Sequence, residues 1–117
     1  MTTTLIILND PPYGTERSYN GLRLAGELAK RDGEAARVFL IGDAVACAKR
    51  GQTTPNGYYN LERMISALVR RGGEVAVCGS CIDARGIAEA ELVEGALRGS
   101  MQILGDWTVA ANRVLTF

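Results

Sequence analysis

Apolar and polar positions follow two alternating patterns along this chain, and together they predict five short strands separated by helices. Thr3 to Leu8 (TTLIIL) is an unbroken, β-rich apolar run, the pattern of a strand covered on both faces. Asn9 to Thr15 (NDPPYGT) is dense in turn formers and reads as a loop. From Glu16 the period becomes helical. Leu22, Ala25, Leu28 and Ala29 share one face, and Arg23, Glu27, Lys30 and Arg31 fall largely on the other. Asp32-Gly33 ends that helix.

A second buried strand is expected at Arg37–Ile41 (RVFLI), followed by a short helix that opens at Gly42-Asp43 and holds Cys47. Gly51 to Gly57 has no periodicity and reads as a surface loop. Tyr58–Arg71 is expected as a helix with Leu61, Ile65, Leu68 and Val69 on its apolar side, stopped by Gly72-Gly73. Glu74–Cys78 (EVAVC) is the third strand. The segment GSCIDARG reads as a turn, with a short helical stretch around Glu89–Glu94 after it. Ala96–Arg98 is a very short fourth strand. Ser100 caps a helix to about Ala111, and Arg113–Phe117 is the fifth strand. Strands alternating with helices predict an α/β fold: one parallel sheet, joined by right-handed crossovers, with helices on both faces. In such sheets ligands bind outside the carboxyl ends of the strands.

Composition narrows the chemistry. With 117 residues there is room for one domain, spanning 1–117, and at 47% hydrophobic content it can fill a core. Thirteen basic and thirteen acidic side chains cancel, so the basic excess of a nucleic-acid binder is missing. No apolar run reaches the ~20 residues of a membrane span, and MTTTLIILND does not resemble a signal peptide. The cytoplasm is therefore the expected compartment, with no membrane partner. The chain contains no His, which removes Ser-His and Cys-His dyads and every His metal site. Three cysteines remain as reactive groups: Cys47, Cys78 and Cys81.

Cys78 ends the third strand and Cys81 follows after Gly79 and Ser80, a C-x-x-C at the mouth of a βα unit. A free thiol is only a few per cent ionised at neutral pH, and backbone N–H groups at such a turn favour the thiolate. Arg85 can add positive charge, and Asp83 can blunt it by pairing with Arg85. Gly79 and Ser80 are small enough for a reaction partner to approach. Alternatively, the two cysteines simply pack as small apolar side chains. Thioredoxin-like exchange is disfavoured because the only prolines are Pro11, Pro12 and Pro55; zinc is disfavoured because four ligands are lacking. Sulfur-atom transfer needs one nucleophilic Cys and neither His, metal nor organic cofactor. Asn9 and Asp10 can orient a ligand or serve only as turn and cap residues. Tyr13 can cover a pocket. Cys47 reads as core. Tyr58 and Tyr59 can be core, lid or subunit contact, and Trp107 core or interface.

Several stretches, NDPPYGTERSYNGLRLA, CGSCIDARGI and ANRVLTF with the loop PNGYYNLERM, resemble the DsrE/DsrF-like family over essentially the whole chain. The resemblance implies a three-layer α/β/α sandwich around a five-stranded parallel sheet, assembled as a homotrimer or homohexamer. It also implies a sulfur carrier, with no cofactor and no metal, whose partners are sulfur donor and acceptor proteins. In relay members a Cys at the end of the third strand accepts sulfur as a persulfide, with a Gly eight residues later; Cys78 and Gly86 keep that spacing. Cys81 departs from the relay pattern, as a thiol that resolves a persulfide or closes a disulfide with Cys78. A non-enzymatic assembly or ligand-binding subunit, or a thiol-disulfide redox protein, are the alternative readings. Oligomerisation also has a physical argument: a short fourth strand leaves a poorly shielded edge, and apolar residues crowd Tyr58–Ile65 and Met101–Trp107. The Cys78 loop is then expected near a subunit boundary.

Overall fold

The structure is a computed structural model that describes all residues, 1–117. Its five strands are β1 (Thr2–Leu8), β2 (Glu34–Leu40), β3 (Glu74–Cys78), β4 (Ala96–Gly99) and β5 (Arg113–Thr116). They form one sheet in the order β4-β3-β2-β1-β5, and every neighbouring pair is parallel. Four α-helices join them: α1 (Arg17–Ala29), α2 (Leu61–Arg70), α3 (Gly79–Ala84) and α4 (Met101–Ala110). Two 3-10 segments, Gly42–Ala48 and Glu89–Glu91, complete the order. No helix is long and apolar enough to cross a membrane.

The layers follow from side-chain alternation. Leu8 and Leu40 are register partners on one face, and Ile7 and Phe39 are partners on the other. Leu8 meets α1 at Gly21, where an added Cβ would lie 2.4 Å from Leu8 Cδ2 and 3.2 Å from Phe117 Cδ1. Gly21 is thus required by the close approach of helix to sheet. Phe39 points the opposite way and meets Trp107 of α4 edge to face, with ring centroids 6.3 Å apart. The sheet is therefore sandwiched between α1 with its neighbour α2 and the single helix α4, in the α/β arrangement that the alternation implied.

The local signals decide most boundaries. Leu61, Ile65 and Leu68 of α2 are buried at helical spacing, and Asn60 Oδ1 accepts from Arg63 N at 3.1 Å. That cap starts α2 at Leu61, three residues later than Tyr58. The helix stops where Gly72 turns to φ +91° and Gly73 N donates back to Leu68 O. Ser100 caps α4, accepting from Ile103 N at 3.2 Å.

Three expectations need correcting. The strand β2 begins at Glu34 rather than Arg37. Glu-Ala-Ala is poor strand sequence, but the ladder to Thr2–Thr4 of β1 overrides that preference, and Glu34 holds Arg113 at 2.8 Å. The turn expected over GSCIDARG is a real helix, α3, whose N-cap position is Cys78. The helical stretch near Glu89–Glu94 shrinks to Glu89–Glu91, and Leu92 and Val93 are buried instead, with Leu92 bridging Lys49.

Candidate functional site

The carboxyl ends of β1, β2 and β3 carry Asn9, the Gly42-Asp43 corner and Cys78. Cys78 lies where β3 becomes α3, so its sulfur meets the first amides of a helix. The residue is 7% exposed. Its Sγ is 3.4 Å from Ser80 Oγ. Burial alone would raise the Cys78 pKa. Hydrogen bonds from the Cys81 and Ser80 side chains, and from the backbone N–H groups of both residues, outweigh it and bring the thiol below its ordinary value.

Cys81, in the first turn of α3, is shifted the opposite way. Burial raises it, as does its hydrogen bond to Cys78 and the charge there, against the Gly42 N–H and Arg85. Gly42 N donates to Cys81 Sγ at 3.2 Å. The pair therefore divides its roles: Cys78 ionises first and Cys81 keeps its proton. A helix-opening C-x-x-C produces this asymmetry because only the first sulfur faces the free amides of the turn.

The charges around the pair differ from the sequence expectation. Asp83 does not pair with Arg85. Two residues apart on a helix they face different sides, so Asp83 turns to Arg98 of β4, accepting from Nη1 at 3.0 Å and Nη2 at 2.7 Å. Arg98 also lies 3.6 Å from Glu89. The Arg98 guanidinium beside it holds the Asp83 carboxyl below its usual range. Arg85 instead grips Asp43 Oδ1 at 2.8 Å and the Cys81 carbonyl at 3.1 Å. Its charge therefore acts on Cys81, not directly on Cys78.

Arg98 is the residue that sequence reasoning missed. The β3–β4 register sets Cys78 against Gly99 and Val77 against Arg98. A Cβ on Gly79 would lie 2.6–2.8 Å from Arg98 Nε, Cζ and Nη2. The small residue at 79 thus admits the chain's own guanidinium rather than a reaction partner. Its one sequence signal was a cation on the strand after α3.

The remaining candidates are tied elsewhere. Asn9 Nδ2 donates to Phe117 O at 3.1 Å, as does Asn9 N, which closes the crevice between β1 and β5 where the strand order reverses. The Asp10 carboxylate accepts from Thr15 Oγ1 at 3.0 Å, and its carbonyl from Ser18 Oγ at 2.6 Å. These are turn and cap roles. The Tyr13 hydroxyl donates to Gln52 and accepts from Leu61 N, and its ring stacks on Tyr59, which stacks in turn on Tyr19. None of these contacts involves Cys78. Cys47 is fully buried in its 3-10 segment, and burial pushes its thiol up to about 12. Two surface clefts, of about 750 and 570 Å³, both lie along α1 and include neither Cys78 nor Cys81.

Known proteins share this architecture. The chain is 38% identical to protein YchN of Escherichia coli K12 over the full length of both. It is 35% identical to an uncharacterized protein of Methanopyrus kandleri, covering 96% of this chain and 91% of the other. The crystal structure of the E. coli YchN protein superposes over both whole chains with a TM-score of 0.93. A protein of unknown function from Methanobacterium thermoautotrophicum, at 16% identity and a TM-score of 0.75, shares the fold. The DsrE/DsrF-like family model matches residues 3–117. With that match and the end-to-end identity to YchN, this chain belongs to the DsrE/DsrF-like family.

Proposed function

We propose that the protein is a sulfur carrier that accepts sulfane sulfur on Cys78. The observation that carries this reading is the divided pair: a Cys78 thiol lowered at the β3–α3 junction beside a Cys81 that keeps its proton. The Cys78 thiolate attacks the outer sulfur of a donor persulfide. A sulfur–sulfur bond forms to Cys78 as the donor's own breaks, and the donor leaves as a thiolate. The exchange needs no metal, no organic cofactor and no His. Three free thiols suit a reducing compartment, so the cytoplasm is the proposed setting. Incubation with a low-mass alkyl persulfide is expected to add one sulfur atom to the wild-type chain in intact-mass spectra, and none to Cys78→Ser. Equal gain in both would overturn the assignment of Cys78.

The carrier is proposed to work as a homotrimer or homohexamer. No residue of α4 is buried; Met101 and Val109 are 67% and 89% exposed, and Leu97 of the edge strand β4 is 63% exposed. A helix this apolar on all sides is normally covered. Covering such surface gains roughly 25 cal/mol per Å². Light scattering at micromolar concentration is expected to give three or six times the chain mass; a value near 12.5 kDa would contradict it.

A further inference from the structure

Cys81 has no task in simple relay, since a carrier needs one nucleophile. Yet it is positioned from two directions. Gly42 N–H lies on its Sγ at 3.2 Å, and Arg85 clasps its carbonyl at 3.1 Å while anchored on Asp43 at 2.8 Å. These contacts fix the first turn of α3 against the corner that follows β2, with the Cys81 sulfur one helical turn from Cys78. Cys78 itself is 7% exposed, and its sulfur lies within hydrogen-bond reach of the Cys81 side chain. Cys47 does not compete, being fully buried.

We propose that Cys81 is a release thiol that converts the Cys78 persulfide into free sulfide and a Cys78–Cys81 disulfide. This rests on the sulfur-carrier reading and adds a second activity to it. The Cys81 proton passes to the outer sulfur of the persulfide. The Cys81 sulfur then attacks Cys78 Sγ, and the bond from Cys78 Sγ to the outer sulfur breaks. The bonding pair leaves with the outer sulfur, giving Cys78–S–S⁻ + Cys81–SH → Cys78–S–S–Cys81 + HS⁻. The two cysteine sulfurs end at the disulfide level and the outer sulfur is reduced to sulfide, so no external oxidant enters. A dithiol reductant resets the pair by exchange. Gly42 N–H meets the negative charge that grows on Cys81 as its proton leaves, and the retained proton on Cys81 is the one the leaving sulfur requires.

The reaction is intramolecular, and positioned pairs react far faster than the same groups free in solution. The protein is loaded with a low-mass alkyl persulfide and freed of donor by rapid desalting. Intact mass and sulfide in the filtrate are then followed with time for wild type, Cys81→Ser and Cys81→Ala. Wild type is expected to lose the added sulfur, end two hydrogens lighter than the reduced chain, and release one sulfide per loaded chain. Both variants are expected to hold the added sulfur longer, by about tenfold or more. Equal lifetimes in all three, or sulfide release without the disulfide, would overturn the release role and leave the carrier intact. Absence of added sulfur in wild type and both variants would overturn the carrier reading and this one together.

Discussion

At neutral pH, iodoacetamide is expected to modify Cys78 ahead of Cys81 and to leave Cys47 for last, slower than an ordinary exposed thiol by at least about thirtyfold. The gap for Cys47 follows from its thiol being pushed from 9.0 to about 12, three decades of thiolate of which the stronger nucleophilicity of a more basic sulfur returns about half, and its complete burial slows it further. For Cys78 the balance is closer. Burial opposes ionisation, and the donors from Cys81, Ser80 and their amides prevail. A lower pKa also blunts intrinsic nucleophilicity, but with a Brønsted coefficient of about 0.4–0.5 the gain in thiolate is the larger effect below the ordinary thiol range. The rate at Cys78 should therefore level off at lower pH than at a free cysteine, and the rate at Cys81 at higher pH. Cys81→Ala removes the side-chain donor to Cys78 and should move the Cys78 profile upward. Rates read by peptide mass spectrometry across pH check this; Cys81 levelling off below Cys78 would contradict it.

Phe39→Ala is expected to destabilise the fold by about 3–5 kcal/mol, a large share of the 5–15 kcal/mol that holds a typical domain. Phe39 is fully buried on the face that only α4 covers. Its ring meets Trp107 edge to face, and a Cβ on Gly99 would lie 3.0 Å from its Cε2. Removing the ring empties the space between β2, β4 and α4, and no second helix lies on that face to move in. Trp107, the only tryptophan, sits at the affected contact, so its fluorescence reads both local loosening and the urea midpoint. A loss below about 1 kcal/mol would mean that α4 is held by something other than this packing.

The legibility of the chain varied with the kind of signal involved. Runs such as TTLIIL and EVAVC announce buried parallel strands because neither face needs polar residues, and Ser100 announces a helix start by capping chemistry, whereas the same signal at Asn60 was masked by Tyr58 and Tyr59 before it. Cys78 was readable as a strand-end thiol for the same reason. The helix α3 was not, because Gly-Ser-Cys opens it with turn-like residues and six positions are too few for a period. The true partners of Asp83 and Arg85 escaped too. Arg98 is fifteen residues beyond Asp83, and Asp43 is forty-two before Arg85. Only strand order and register bring them together, and neither leaves a mark in local composition. The same holds for Gly42 N–H on Cys81, which joins the ends of β2 and β3. Asn9, Asp10 and Tyr13 were legible as loop chemistry, yet which groups they bind depended on where Phe117, Ser18 and Gln52 came to lie.

The apolar surface of α4 also belongs to that class. Its composition, MQILGDWTVA, reads as core, while its position in one chain leaves every residue at least partly exposed. Sequence pattern specifies what a helix needs covered, not which chain does the covering.

The central claim is that Cys78 is the sulfur acceptor. Peptide mass spectrometry of the persulfide-loaded protein, trapped with an alkylating agent within seconds of desalting, tests it most directly. The account predicts the added sulfur on Cys78 itself, located by fragment ions within the 72–85 peptide that also carries Cys81, with Cys47 unmodified. Added sulfur on Cys81 with Cys78 present as the free thiol would contradict it.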